Sequence, residues 1–394
     1  MMYLIYLPAV YGLFTLVWKS LANRLIAVLV GVLTLVGLPD PGFANSMGTY
    51  FAILLFVFWN FLFHQGDYLD RSAASFGLFG ALISLNFDDI LITLIGVGLL
   101  TASGLGILFK NFDWKYSQKA GINYFLISAV GLMFLILAFL FDVPFRLSDF
   151  QTSFSVGRAL FLLGIFIKLG LPILNPSGYP LYIEVRDGNR LAFWAVFFKF
   201  VLICLVLNLI NRSESFEPFV RLISALSLLI SFCFLSFVGS VRNFMAASSM
   251  FTVSLVVALS SYVDADVLML YSFVYFASSL VALRSLDPEQ VDGVLHPWLV
   301  GLALALAGGV APLFLVVLMK FVLFNQLSST KPIILVLFGL SAFASSYFYA
   351  KFASKFFLQP NSSKIPRESV SLILVLLLMS LLATLYPEEF FKFF

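Results

Sequence analysis

The chain reads as a succession of long apolar runs parted by short polar connections. Runs long enough to cross a hydrocarbon layer of about 30 Å at about 1.5 Å per residue fall at 2–18, 23–38, 47–64, 72–87, 89–110, 121–142, 156–175, 191–210, 218–240, 242–262, 266–284, 296–325, 332–353 and 368–386. This pattern predicts an all-α polytopic membrane protein with about 14 transmembrane helices. The run 296–325 is too long for one simple crossing and contains Gly308, Gly309 and Pro312, so it is expected to be a broken helix. The run 156–175 carries Lys168 with Pro172 four residues on, which predicts a second break, since a proline inside a span frees a backbone carbonyl. The breaks thus fall in spans 7 and 12.

Charge placement tests the count independently of hydropathy. With loops placed alternately, one side holds Lys19, Arg24, Arg71, Lys110, Lys115, Lys119, Arg186, Arg190, Arg242, Arg284, Lys351, Lys355, Lys364 and Arg367. The other holds Arg146, Arg158, Arg212, Arg221, Lys331 and Lys392. One missed or invented span would scramble this asymmetry, so it supports the count and places both termini on the outer side. The start of the chain, MMYLIYLPAVYGLFTLVW, lacks a basic leader, a small-residue cleavage site and transit-peptide amphipathicity. It reads as a first span, with nothing expected to be removed.

Composition agrees: 61% of residues are hydrophobic and 11% charged, with a mean hydropathy of +1.04, against a charged fraction of about 25% for soluble globular chains. A net charge of +3 without a basic run excludes nucleic-acid binding. Cys204 and Cys233 lie in apolar segments with no CxxC partner, so no disulfide framework, metal site or iron–sulfur ligation is expected, and no redox centre belongs to this chain. Phenylalanine accounts for 47 of 394 residues, which would follow from a thymine-rich organellar genome and points to mitochondrial encoding.

Three cations fall inside spans: Lys168, Lys199 and Lys320. A lysine near the bilayer centre costs about 2.5–3.5 kcal/mol on insertion scales, so a chain that keeps one usually has a use for it. All carboxylates fall in loops or at span ends, so none is expected to pair with these lysines. Burial disfavours the charged form of such a group, which suits a proton relay. The plainer alternative is snorkelling, open to Lys168 near the inner end of its span and to Lys320 near an outer end, and hardest for Lys199 in mid-span. The plainer reading of Pro172 and Pro312, less favoured here, is that they are packing kinks. The glycines at 96, 98, 104 and 106 are expected to permit close helix approach. His64 and His296 sit at span ends and read as interfacial, and Asp287, Glu289 and Asp292 as a solvated or subunit-facing loop.

Lys168 with Pro172 occupies the fourth span of one five-span block, and Lys320 with Pro312 the fourth span of the next. Blocks with an odd number of spans run in opposite senses through the membrane, which makes an inverted repeat. The expected organisation is three helices in 1–70, a five-helix repeat in 71–212, an inverted five-helix repeat in 213–355, and a final helix in 356–394.

Several stretches carry a resemblance. SLNFDDILITLIGVGLL (84–100) is similar to S-x-N-D-L-L-x-x-Y-x-G-L-E-L, and SQKAGINYFLISA (117–129) to E-A-x-x-K-Y-F-L-x-G-A. FIKLGLP (166–172), followed by Tyr182, is similar to F-K-L-x-L-V-P-F-H-x-W-x-P-D-V-Y, and WAVFFKF (194–200) to S-x-x-P-K-x-A. VRNFMAASSM (241–250) is similar to K-R-x-L-A-Y-S-S-I, and LAGGVAPLFLVVLMKFVLF (306–324) to L-A-G-I-P-x-x-x-G-F-x-G-K-F-x-L-F. Each match is loose, but they run in order from 84 to 324. Together they resemble the antiporter-like subunits of respiratory complex I, in particular the family of NADH dehydrogenase subunit 2, called subunit N in bacteria.

The resemblance implies that Lys168 belongs to a first half-channel, Lys199 to a central connection and Lys320 to a second half-channel. It also exposes departures: the family's glutamate falls on Gly98, and two histidines fall on Asn175 and Thr252. Asn175, Tyr182, Ser248, Ser249 and Thr252 are the residues that could line a hydrated path. The implied function is proton translocation in the membrane arm of NADH:ubiquinone oxidoreductase, with flavin and iron–sulfur clusters confined to partner subunits and the quinone bound elsewhere. The implied partners are other membrane-arm subunits and the lipid bilayer, and the location is the mitochondrial inner membrane or a bacterial plasma membrane. Two other readings stay open: a cation/proton antiporter, alone or in a complex, and a structural subunit that conducts nothing.

Overall fold

A computed structural model describes residues 2–19, 23–36, 46–62, 68–109, 114–141, 146, 155–185, 188–211, 217–285, 297–308, 315–328, 332–358, 373–375 and 377–378. They fall into two compact units, Met1–Ser261 and Tyr262–Phe394. In the first, a 3₁₀ turn at Met2–Tyr6 leads into α1 (Leu7–Val17), followed by α2 (Arg24–Val36), α3 (Ser46–Leu62), α4 (Tyr68–Asn86), α5 (Ile90–Phe109) and α6 (Trp114–Ala138). Next come α7 (Val156–Leu169), α8 (Gly178–Glu184), and a continuous stretch made of α9 (Gly188–Ala192), a π-helical segment (Phe193–Phe198) and α10 (Lys199–Asn211). The helices α11 (Glu217–Ser236) and α12 (Val241–Leu259) complete the unit. The second unit holds α13 (Ala265–Ser285), α14 (Pro297–Gly308), α15 (Leu315–Leu327) and α16 (Pro332–Phe357). The division falls in the turn after α12, so α11 and α12, expected in the second repeat, pack within the first unit.

Among the described residues all regular elements are helical, beside one isolated bridge between Asp89 and Arg146. This is the architecture of a polytopic helical membrane protein. Each of the first thirteen apolar runs coincides with a helical stretch, except that 156–175 is helical only as far as Leu169 and 296–325 holds two separate pieces. Among the described residues seven helices are individually long and apolar enough to cross a bilayer. The pieces α7, α14 and α15 have 14, 12 and 13 residues, about 21 Å or less, and none of them spans about 30 Å alone. The expected run 368–386 lies largely outside the described residues, as do Pro312, His64, His296, Asp287, Glu289 and Asp292.

Helix ends follow local chemistry. Asp89 Oδ1 accepts from the backbone N–H groups of Leu91 (2.8 Å) and Ile92 (3.1 Å), which caps α5 and sets a negative charge against its N-terminal dipole. Ser155 and Ser240 cap α7 and α12 in the same way, accepting from the N–H groups of Arg158 and Asn243. Two helix pairs meet through glycines. A Cβ on Gly80 would stand 2.6 Å from the Gly96 carbonyl oxygen, and one on Gly96 would stand 2.6 Å from that of Gly80. Gly164 of α7 meets the Gly131 carbonyl of α6 at 2.7 Å by the same measure. Without such small residues the backbones could not touch. Of the glycines expected to serve this purpose in α5, Gly96 does; Gly98 and Gly106 have open space beside them, and Gly104 makes ordinary contact with Phe198.

The stretch 188–211 runs through the middle of the first unit with nearly every side chain buried. Its aromatic residues pack on α3, where Phe193 meets Trp59 at a centroid distance of 5.3 Å and Phe197 meets Phe56 at 6.3 Å. Phe193 also fills the space left by Gly77 of α4.

At the α4–α5 crossing the obstacle to a larger residue is backbone, which cannot step aside. Gly80→Leu and Gly96→Val should therefore each lower stability by about 1–3 kcal/mol, whereas Gly98→Ala should leave it unchanged. Thermal unfolding of the purified protein in detergent checks both.

Candidate functional site

The first lysine sits beside a helix break built by its neighbours. Gly170, with φ of 81°, ends α7 in the left-handed region that favours glycine. The Leu171 N–H donates to the Phe166 carbonyl and the Gly170 N–H to that of Ile167, both at 3.2 Å, a Schellman closure with Pro172 just beyond it. The glycine therefore stops the helix, and the buried Pro172 follows the stop. Asn175 turns back into the break: its amide donates to the Ile167 carbonyl at 2.9 Å, and its Oδ1 accepts from the Ser177 hydroxyl. Its observed bonds thus satisfy a helix-end carbonyl that would otherwise lack a partner.

Lys168, 2% exposed, lies one residue before the end of α7. Its Nζ donates to Thr101 Oγ1 of α5 at 3.2 Å, and Thr101 in turn donates to the Val97 carbonyl at 2.6 Å. Thr101 lies three residues after Gly98, one turn along α5.

Lys199, 1% exposed, is the residue at which the π-helical segment returns to α-helix. Its Nζ donates to Ser249 Oγ of α12 at 3.0 Å and stands 5.0 Å from the ring centres of both Tyr182 of α8 and Trp194 of the π segment. The two rings meet edge to face at 5.4 Å. Trp194 Nε1 donates to the Tyr124 hydroxyl of α6 at 2.6 Å, so the indole is held from its far side. Ser248 donates to the Met245 carbonyl at 3.1 Å, and Thr252 is buried one turn beyond Ser249. Among the described residues, α8, α12 and the central stretch thus converge on one ammonium, and α6 holds the indole beside it.

Within the second unit, Lys320 of α15 is half-buried and satisfies all three of its N–H donors: the Gly308 carbonyl at 2.8 Å, Ser345 Oγ at 3.1 Å and Ser346 Oγ at 2.9 Å. Ser346 also donates to the Gly308 carbonyl, at 3.2 Å. That carbonyl lies at the C-terminal end of α14, where the helix dipole favours a cation. Gly308 is pressed against Tyr349 of α16, which leaves no room for a larger residue.

Among the described residues no carboxylate bridges any of the three lysines; a buried ion pair elsewhere in the first unit joins Asp70, in the first turn of α4, to Arg190 of α9 at 3.7 Å. The described residues also hold no cluster of His, Cys, Asp and Glu that could bind a metal. Sequence reasoning missed Thr101, Tyr124, Trp194, Ser345 and Ser346, and named Gly308 only as part of a helix break. Tyr124 and Trp194 lie inside the stretches 117–129 and 194–200 that carry the family resemblance. The serine pair in FASSY (343–347) repeats the form of AASSM (246–250).

No protein-family model matches the sequence, and no curated protein matches it either. By structure the chain is similar to a chain of respiratory complex I from Thermus thermophilus with bound Aureothin, with a TM-score of 0.76 and 16% identity over 97% of this chain and 98% of that one. It is similar to a chain of the membrane-bound sulfane sulfur reductase, an archaeal respiratory membrane complex, with a TM-score of 0.81 and 14% identity over 99% and 95%. It is also similar to a chain of the Mrp complex from Dietzia sp., with a TM-score of 0.75 and 11% identity over 98% and 96%. At these identities the likeness establishes a shared fold along nearly the whole chain.

The Ser345→Ala, Ser346→Ala double variant leaves the Lys320 ammonium with one protein acceptor and should cost about 1–3 kcal/mol of stability. Adding Lys320→Met should return most of that loss, since the uncompensated charge goes with it. A double-mutant cycle on unfolding midpoints measures the coupling.

Proposed function

We propose that this chain is a proton-translocating membrane-arm subunit of an NADH:ubiquinone oxidoreductase of the complex I type, carrying protons on Lys168, Lys199 and Lys320 without a redox centre of its own. The observation that carries this reading is Lys199: an ammonium held in the enclosed helix of the first unit by a hydroxyl and two ring faces, with no carboxylate bridging it among the described residues. A lysine so placed sits in a low-dielectric site where its charge is costly, and it can gain and lose a proton without breaking an ion pair. Electron transfer in partner subunits, which would hold the flavin and iron–sulfur clusters, would bias one lysine. Repulsion between charged lysines would pass the change along the membrane, since charges about 8 Å apart at an effective dielectric of about 20 interact by about 2 kcal/mol. The hydroxyls of Ser248, Ser249 and Thr252 would carry the proton between water and Lys199. The fold shared with chains of two respiratory complexes supports this assignment to a respiratory assembly.

A second reading, a subunit of a cation/proton antiporter, is favoured by the fold shared with a chain of the Mrp complex. The two separate in proteoliposomes, where proton movement driven by a sodium gradient across the isolated chain supports the antiporter. A third, structural role is favoured by Gly98 standing where the family resemblance places a glutamate.

Replacing Lys199 by Met in the assembled complex should abolish proton pumping, with partner subunits still co-purifying at wild-type levels. Proton-to-electron stoichiometry in vesicles measures this, and an unchanged ratio would overturn the reading.

A further inference from the structure

We propose that Tyr182 and Trp194 form an aromatic clamp that holds the Lys199 ammonium in place of a carboxylate counter-ion, so that two ring faces are a working part of the site. The proposal rests on the reading of Lys199 as a proton carrier and assigns the residues that position its charge.

The first observation is distance. Lys199 Nζ stands 5.0 Å from each ring centre, inside the range of about 6 Å within which a ring face attracts a cation. Such contacts gain strength when desolvated, and both rings are buried.

The second is the backbone. In an α-helix, residues five apart are turned by about 140° from one another, so Trp194 and Lys199 would face different neighbours. The segment Phe193–Phe198 is π-helical, and its i to i+5 spacing brings residues five apart roughly one turn apart. The wide turn ends at Lys199 itself, so the irregularity has a geometric consequence: it sets the indole and the ammonium on one face.

The third is support from behind. The indole is anchored by its N–H on Tyr124, with the two rings at 90° and their centres 5.1 Å apart. At the start of α8 even a Cβ on Gly178 would meet Trp194 only at ordinary contact distance, 3.7 Å, so this end of α8 passes beside the indole and brings Tyr182 with it. Tyr182 contributes here through its ring face, which differs from lining a polar path with its hydroxyl.

The test has two arms. In the full chain with Trp18, Trp59, Trp114 and Trp298 replaced by Phe, the emission of Trp194 reports the charge beside it. Lys199→Met should shift that emission; unchanged emission overturns the clamp whatever the chain transports. Should that background fail to fold, the same Lys199→Met difference spectrum is taken with all five tryptophans present. In the second arm, proton transport by the assembled complex should fall about threefold or more in Tyr182→Leu. Tyr182→Phe, which keeps the ring and drops the hydroxyl, should rescue most of that loss. Equal losses in the two variants assign the effect to the hydroxyl and overturn the clamp, as does no loss in either. If wild-type transport itself is absent, the emission arm still decides, so failure of the clamp and failure of the functional reading remain distinguishable.

Discussion

Three ammonium groups placed inside apolar spans set the terms for everything around them. A carboxylate partner would neutralise each one, and would also hold its proton in place. The described surroundings take another course, with neutral groups that solvate the charge without cancelling it. For Lys320 these are two hydroxyls and a carbonyl at a helix end, for Lys168 a threonine hydroxyl, and for Lys199 a serine hydroxyl and two ring faces. Such partners serve the ammonium by donating lone pairs or π density, and none of them gains a charge of its own when the proton leaves. That is the property that separates a carrier from a buried ion pair such as Asp70 with Arg190.

A regular helix can offer side-chain hydroxyls but no free backbone carbonyl, because its carbonyls are already spent. Each lysine accordingly lies at or faces a departure from regular α-helix. Lys168 precedes the stop at Gly170, Lys199 closes the π-helical segment, and Lys320 faces the last carbonyl of α14. The irregularities are held by rigid surroundings: the glycine contacts of α4 on α5 and α6 on α7, the aromatic packing of the central stretch on α3, and the return of Asn175 to the end of α7. Close packing lets local breaks persist without loosening the helices that carry them.

Much of this was legible in the residues. Apolar run length located the helices because a span must satisfy its own backbone, and the lone lysines stood out because charge in such a run is costly. What escaped had physical reasons. The stop at 170 depends on a left-handed backbone angle, and Pro172 drew attention to a position two residues late. The π turn comes from packing and leaves no periodicity, so Trp194 could not be joined to Lys199 by spacing. Ser345 and Ser346 lie on a different helix from Lys320 and look like the many serines that bond their own backbone. Gly98 looked like a packing residue, yet has open space beside it.

The central claim is that Lys199 changes its charge in place. Nitrogen-15 NMR of lysine-labelled protein in lipid bilayers, assigned by loss of one signal in Lys199→Met, reads the Nζ directly as amine or ammonium. The account predicts a signal that converts between the two forms as pH is varied across the range in which the protein stays folded. An Nζ that remains ammonium throughout that range would contradict it.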